Sequence, residues 1–534
     1  MTTIIQRKSD TIFLSLMTAM LCATGIVSTA LAEDVYQLNA TTTTGVDLTG
    51  YATDRMEGPS SANIEFSGSI VGASGTAESP FELIGMGRTI TVTADNSSFH
   101  TLPLKLYNAD GVSATSTLKF NAGSVFGTGA LDVGSHTRFN FGYGANNGSD
   151  TIAYDRINIH DGGILDGYHL YFGKNNSLHI SVTDGGKIES TTTYNIRFGQ
   201  QTKSTDEPIT VFLGITNASV SATGKKTDGT IGGGVVALMT GVPATDNTLE
   251  NCRIVLGENG VLHANQIKQE GGGRSNIIFD GGRIQSLNNV PISTELFYVY
   301  GAGYASTWPN PHIWLDGING NPIDIEVASD RMFAGGKAST SARLNVTGPG
   351  GFTKRGAGTL YFNRKGESVC DYTGPTTILG GGIVVSNAVF KVGRGELTVA
   401  ENAFLDLNGF DVEFSGSAGA GIVTNGSATA STLTLGYGDA TSTLTTSVGE
   451  RISLVKTGTG TLTVSGDAAN NTCALDITAG TVVFDVRTSS SYGTVTVRAG
   501  ATLDISRCNF SCANLVKESG GKIINPPGLV IVVK

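Results

Sequence analysis

Gly351-Phe352-Thr353-Lys354-Arg355-Gly356-Ala357-Gly358-Thr359-Leu360-Tyr361-Phe362 is nearly repeated by Ser453-Leu454-Val455-Lys456-Thr457-Gly458-Thr459-Gly460-Thr461-Leu462-Thr463-Val464. Lys354 aligns with Lys456, Gly356 with Gly458, Gly358 with Gly460, and Thr359-Leu360 with Thr461-Leu462. The match resumes downstream. Gly382-Ile383-Val384-Val385 answers Gly480-Thr481-Val482-Val483, Leu397-Thr398-Val399 answers Val495-Thr496-Val497, and Ala403-Phe404-Leu405-Asp406 answers Ala501-Thr502-Leu503-Asp504. A repeat longer than any one strand, built of short β-type runs separated by glycines, is the pattern of a solenoid.

The Lys-x-Gly-x-Gly-Thr-Leu block, followed by Gly-x-Ile/Val-Val, resembles the autotransporter-associated β-strand repeat. Tyr372-Thr373-Gly374-Pro375-Thr376-Thr377 is close to the middle segment of that repeat. The second copy lacks it and has Asn470-Asn471-Thr472-Cys473 nearby, so that copy is partial. The resemblance covers Gly351 to about Phe484, with units at about 351–386 and 453–484. It implies a parallel β-helix of the kind found in secreted bacterial surface proteins. The repeat is a structural unit in proteins of many roles, so it says little about activity. No alternating barrel strands follow the last repeat, and the resemblance is not expected to extend to self-export.

Residues 1–32 have the layout of a secretory signal. Arg7 and Lys8 precede the apolar run Thr11–Val27, and Ala30-Leu31-Ala32 is an A-x-A cleavage site. No other stretch is apolar enough to cross a bilayer. Beyond the signal the chain holds 33 basic and 44 acidic residues, since Arg7, Lys8 and Asp10 leave the 35 and 45 of the whole. That acidic balance argues against nucleic acid or an anionic membrane surface as partner. Cys252, Cys370, Cys473, Cys508 and Cys512 are odd in number and scattered, so no disulfide framework follows. Cys508 and Cys512 are the one close pair, read as a disulfide or as two buried thiols.

Short runs such as Leu178-His179-Ile180-Ser181-Val182 alternate apolar with polar residues, as half-buried strands do. A second unit, Asp161-Gly162-Gly163-Ile164, recurs as Asp184-Gly185-Gly186-Lys187-Ile188 and Asp280-Gly281-Gly282-Arg283-Ile284. Its spacing predicts coils of roughly 20 to 26 residues, with four coils between Asp184 and Asp280. Roughly twenty such coils would make a rod on the order of 100 Å long. Two segments stand out as end caps: Glu33 to about Phe66, and the tail Asn525-Pro526-Pro527-Gly528.

The expected fold is therefore all-β: a right-handed parallel β-helix, a solenoid with Gly/Asn-rich turns. Its parts are the signal, N-terminal coils over 33–287, a segment over 288–343, and C-terminal coils over 344–534. The segment 288–343 holds both tryptophans and several prolines and reads as an insertion or long loop.

Chemistry is sparse. The chain has no Asp-Asp pair, no Gly-His-Gly and no Gly-x-Ser-x-Gly. Asp161, Asp184 and Asp280 each precede Gly-Gly, and turn chemistry accounts for them. The seven histidines show no metal-ligand spacing. No catalytic residue, metal ligand or cofactor is expected. Tyr298, Tyr300, Tyr304, Trp308 and Trp314 form the candidate contact surface, since exposed aromatic rings stack on sugars or anchor protein partners. The expectation is an exported structural or adhesive rod, at the cell surface or outside the cell, or else in the periplasm. Its partners would be glycans, surface proteins or copies of itself met at the open ends. The alternative is a polysaccharide-degrading lyase or hydrolase on the same fold, which needs carboxylates brought together only in three dimensions.

Overall fold

The computed structural model describes residues 35–38, 45–49, 51, 55–67, 69–71, 80–92, 103–120, 125–126, 130–140, 151–152, 154–167, 170–174, 177–190, 196–201, 210–222, 234–241, 250–271, 273–299, 312–336, 343–363, 369–386, 393–485 and 489–526. The segment 1–32 lies outside them. Among the described residues the regular structure is β-strand, apart from two short 3-10 turns at Tyr437–Asp439 and Gly466–Asn470. No helix there is long and apolar enough to cross a membrane.

The strands alternate because their sequence does. Val211–Thr216 and Ile323–Val327 point every second residue inward. Successive coils then place like residues over one another. Ile157, Ile180, Leu213, Ile254, Ile277, Leu315 and Val346 stand in register on seven neighbouring strands, each fully buried. Each such side chain contributes roughly 1.5–3 kcal/mol on burial. No single coil could bury its inner face alone, so stability comes from the stack.

The pairings are parallel and build a three-faced coil. A 13-stranded sheet runs from Tyr36–Gln37 to Val369–Cys370 along one face. A second face carries one continuous ladder of 19 strands, from Ile64–Phe66 to Lys522–Ile524. At about 4.8 Å per strand that ladder is about 85 Å long. The third face is an 8-stranded sheet, succeeded by a 6-stranded one from Arg331–Met332 to Ser447–Val448. Another 6-stranded sheet, Val412–Phe414 to Asn509–Lys517, follows the 13-stranded one in coil order. The fold is an all-β parallel β-helix.

Three expectations change. Coil length is not uniform: Lys187 pairs with Ser219, Ser219 with Val261, and Val261 with Arg283, steps of 32, 42 and 22 residues. Three coils, not four, separate Asp184 from Asp280, because corners vary in length while strands do not. The segment 288–343 contributes coil strands. Phe297–Val299, His312–Gly317 and Ile323–Val327 each take their place in one of the three sheets. Its prolines and aromatics sit in and between regular strands, so what reads as an insertion is a coil with long corners. Residues 33–66, expected as a cap, already contain strands, and Tyr36–Gln37 pairs with Arg55–Glu57.

Candidate functional site

Of the five aromatic residues singled out by sequence, Tyr300, Tyr304 and Trp308 lie outside the described residues. Tyr298 is half-buried on the third face, with the Lys268 ammonium 6.0 Å from its ring centre. Trp314 is half-buried on the first face, with the Arg274 guanidinium 4.3 Å over its ring. The two described rings therefore belong to different sheets, and each already stacks with a cation of the preceding coil.

The repeat lysines are the feature that sequence did not flag. Lys354 ends the strand Phe352–Arg355 and is fully buried. Its Nζ donates to the carbonyls of Arg355 at 3.0 Å, Gly356 at 2.9 Å and Gly380 at 2.8 Å. Lys456 repeats the arrangement with the carbonyls of Thr457, Gly458 and Ala479 at 2.5, 2.9 and 3.4 Å. Burial pushes the Lys354 pKa down to about 8, against the pull of Asp330 and Glu326. At neutral pH it is still an ammonium, with three N–H donors for three carbonyls. The glycines complete the corner. A Cβ on Gly358 would stand 2.4 Å from the Ser329 carbonyl, and one on Gly460 2.3 Å from that of Ala440. The two copies occupy different faces. The first turns from the 19-stranded ladder into the third face, the second from the Val412–Lys517 sheet into the ladder. The repeat is thus a corner unit, usable at more than one edge of the coil.

The Asp-Gly-Gly motifs are also corners. Asp161 and Asp184 are left-handed, at φ 51° and 48°. Asp280 is not; there Gly281 takes the positive φ, and the Asp280 carboxylate accepts from the Asn319 and Asn321 amides at 3.1 and 3.0 Å. Three coil steps put Asp280 about 14 Å from Asp184 along the axis, too far for one shared site. Among the described residues no three His, Cys, Asp or Glu side chains gather closely enough to hold a metal ion. The five cysteines are free thiols, Cys508 and Cys512 included.

His160 sits between two carboxylates, Asp132 at 2.9 Å and Asp161 at 2.8 Å. Burial works against its charged form, but hydrogen bonds to the two aspartates outweigh it and hold the imidazole above its ordinary 6.5. The folded protein binds that proton more tightly than the unfolded chain. The resulting stability is full below about pH 6.5 and is lost as pH rises through the folded value. His160→Gln is expected to lower the melting temperature more at pH 6 than at pH 8 in a thermal scan. Equal losses at both pH values would contradict this assignment.

One concavity stands apart. Where the ladder turns into the third face, the coil at Val261–His263 uses only Ala264 and Asn265 before the strand Gln266–Gly271 begins. The coil before it spends residues 223–234 on the same corner, and the coil after it residues 287–296. A tight corner between two long ones leaves a hollow of about 250 Å³. Ser221, His263, Asn265, Gln285 and Leu287 line it. Asn265 is 2% exposed, and its side-chain amide nitrogen has no hydrogen-bond partner. Behind it the fully buried Arg331 donates to the Asn265 carbonyl at 2.6 Å. Gln285 gives its amide N–H to Glu326, which leaves its oxygen as an acceptor. Burial, helped by Arg283, lowers the His263 pKa and keeps that ring neutral at pH 7.

Comparison of the chain with family models, characterised proteins and solved structures gives no match.

Proposed function

We propose that the protein is an exported β-helical rod of the autotransporter-associated repeat type, serving as a scaffold that presents its corner loops to glycans, surface proteins or other copies of itself. The unbroken 19-stranded ladder carries this reading. A stack held from end to end by backbone bonds, a buried aliphatic column and two lysine corners is rigid and elongated, which suits display at a distance from a surface. The charge pattern of residues 1–32, with Ala30-Leu31-Ala32 at its end, supports export. Tyr298 and Trp314 remain candidate contacts, as separate points on two faces.

The test is light scattering after size exclusion of the purified protein mixed with soluble acidic and neutral polysaccharides. The expected result is polymers of unchanged length, with co-elution of at least one if the rod is adhesive. Shortening of any polymer overturns the scaffold reading in favour of a degrading enzyme.

A further inference from the structure

The hollow beside Asn265 has features that turn chemistry does not require. An amide that is almost fully covered ordinarily finds a partner, because an unmet buried donor costs roughly 1–3 kcal/mol. The Asn265 nitrogen has none, and it borders open space in place of packed side chains. Around it stand an acceptor in the Gln285 oxygen, a hydroxyl in Ser221, and a neutral imidazole in His263 that offers one donor and one acceptor. Ala222, Ala264 and the half-exposed Leu287 supply the apolar part of the wall. With His263 neutral, no residue lining the hollow carries a charge.

We infer that this hollow is a binding subsite for one neutral, hydroxyl-bearing ring of hexose size. Its volume is below the ~300–1,000 Å³ of sites that hold drug-sized ligands, which leaves room for a single ring. Ring hydroxyls both donate and accept, so they satisfy the Asn265 N–H groups and the Gln285 oxygen together. Ring C–H groups lie against Leu287 and the two alanines. The absence of a charged wall group disfavours an acidic sugar, whose carboxylate would find no cation at contact distance. Three coils contribute, Ser221 from the first, His263 and Asn265 from the second, and Gln285 and Leu287 from the third. The hollow is therefore as rigid as the stack that makes it. The inference rests on the reading of the protein as a binding rod, and the two fail separately. Shortened polymers remove the rod reading, whereas an empty hollow removes only the subsite.

The experiment is saturation-transfer NMR on the full protein with glucose, galactose, mannose and galacturonate. At least one neutral hexose is expected to bind, at roughly millimolar strength for a single ring. Galacturonate should bind at least about tenfold more weakly than that hexose. Asn265→Ala should weaken the hexose about tenfold or more, the size of one lost buried hydrogen bond. Leu287 is 51% exposed, so Leu287→Ser leaves the fold intact and should weaken binding about threefold. No signal from any neutral hexose at about 50 mM, a concentration that would load a millimolar site, overturns the inference. So does a signal unchanged in both variants, or a preference for galacturonate.

Discussion

Lys354→Met is expected to lower the unfolding free energy by roughly 3–4 kcal/mol. The methionine keeps the volume of the side chain and removes only its donors. Three carbonyls, those of Arg355, Gly356 and Gly380, then face an apolar group inside the coil. Each unmet acceptor costs roughly 1–3 kcal/mol, offset in part because an ammonium no longer has to leave water. Arginine is not expected to rescue the site, since its flat fork cannot aim three donors from one nitrogen. A rod of stacked coils melts in parts, so the measurement must be local. Amide hydrogen exchange over Thr359–Phe362 and Gly382–Val385 reads the coils that this lysine joins. Protection within about 1 kcal/mol of the unsubstituted protein would show that the carbonyls find other partners, and the lysine would lose its structural role.

The second large effect is at Gly358. Replacing it by valine is expected to cost roughly 3 kcal/mol or more, because the obstacle is backbone. A Cβ there would lie 2.4 Å from the carbonyl carbon and oxygen of Ser329 and 2.6 Å from its nitrogen. Relief requires two coils to part where parallel strands stand about 4.8 Å from each other. Gly162 is the useful contrast. It has φ +77° but nothing within 4 Å of where a Cβ would sit. Gly162→Ala should cost only the roughly 1–2 kcal/mol of a left-handed alanine. Urea midpoints followed by circular dichroism compare the two. Equal losses would mean that backbone angle, and not close approach, makes the glycines of the repeat necessary.

Much of the fold was legible because β-helix strands carry their signal locally. The alternation in Leu178–Thr183 and the Lys-x-Gly-x-Gly spacing are visible in one chain without partners. The Asp-Gly-Gly corners were legible for the same reason, as Asp161 and Asp184 do adopt positive φ. Coil length was not, since corners such as 264–265 and 287–296 differ in length while the strands around them do not. Tyr298 and Trp314 lie close in sequence yet fall on different sheets, because one coil passes through all three faces between them. The hollow at Asn265 left no sequence signal at all. Its walls come from three coils separated by 42 and 22 residues, and nothing in that spacing marks them as neighbours. Lys354 and Lys456 were visible as a matched pair, but a lone lysine in a strand is ordinarily a solvated one.

The reach of those lysines has a direction. Lys354 takes two carbonyls from its own corner and the third from Gly380, and Lys456 takes its third from Ala479. In both cases the last partner belongs to chain that comes later. A stack wound only as far as Phe362 therefore ends on an ammonium with a vacant donor, open to water. Winding in chain order carries a hydrated positive charge on its advancing face, withdrawn when the next coil closes over it. Two half-wound chains meeting by those faces would bring like charges together, so the unfinished molecule repels its own copies just when its strand edges are bare.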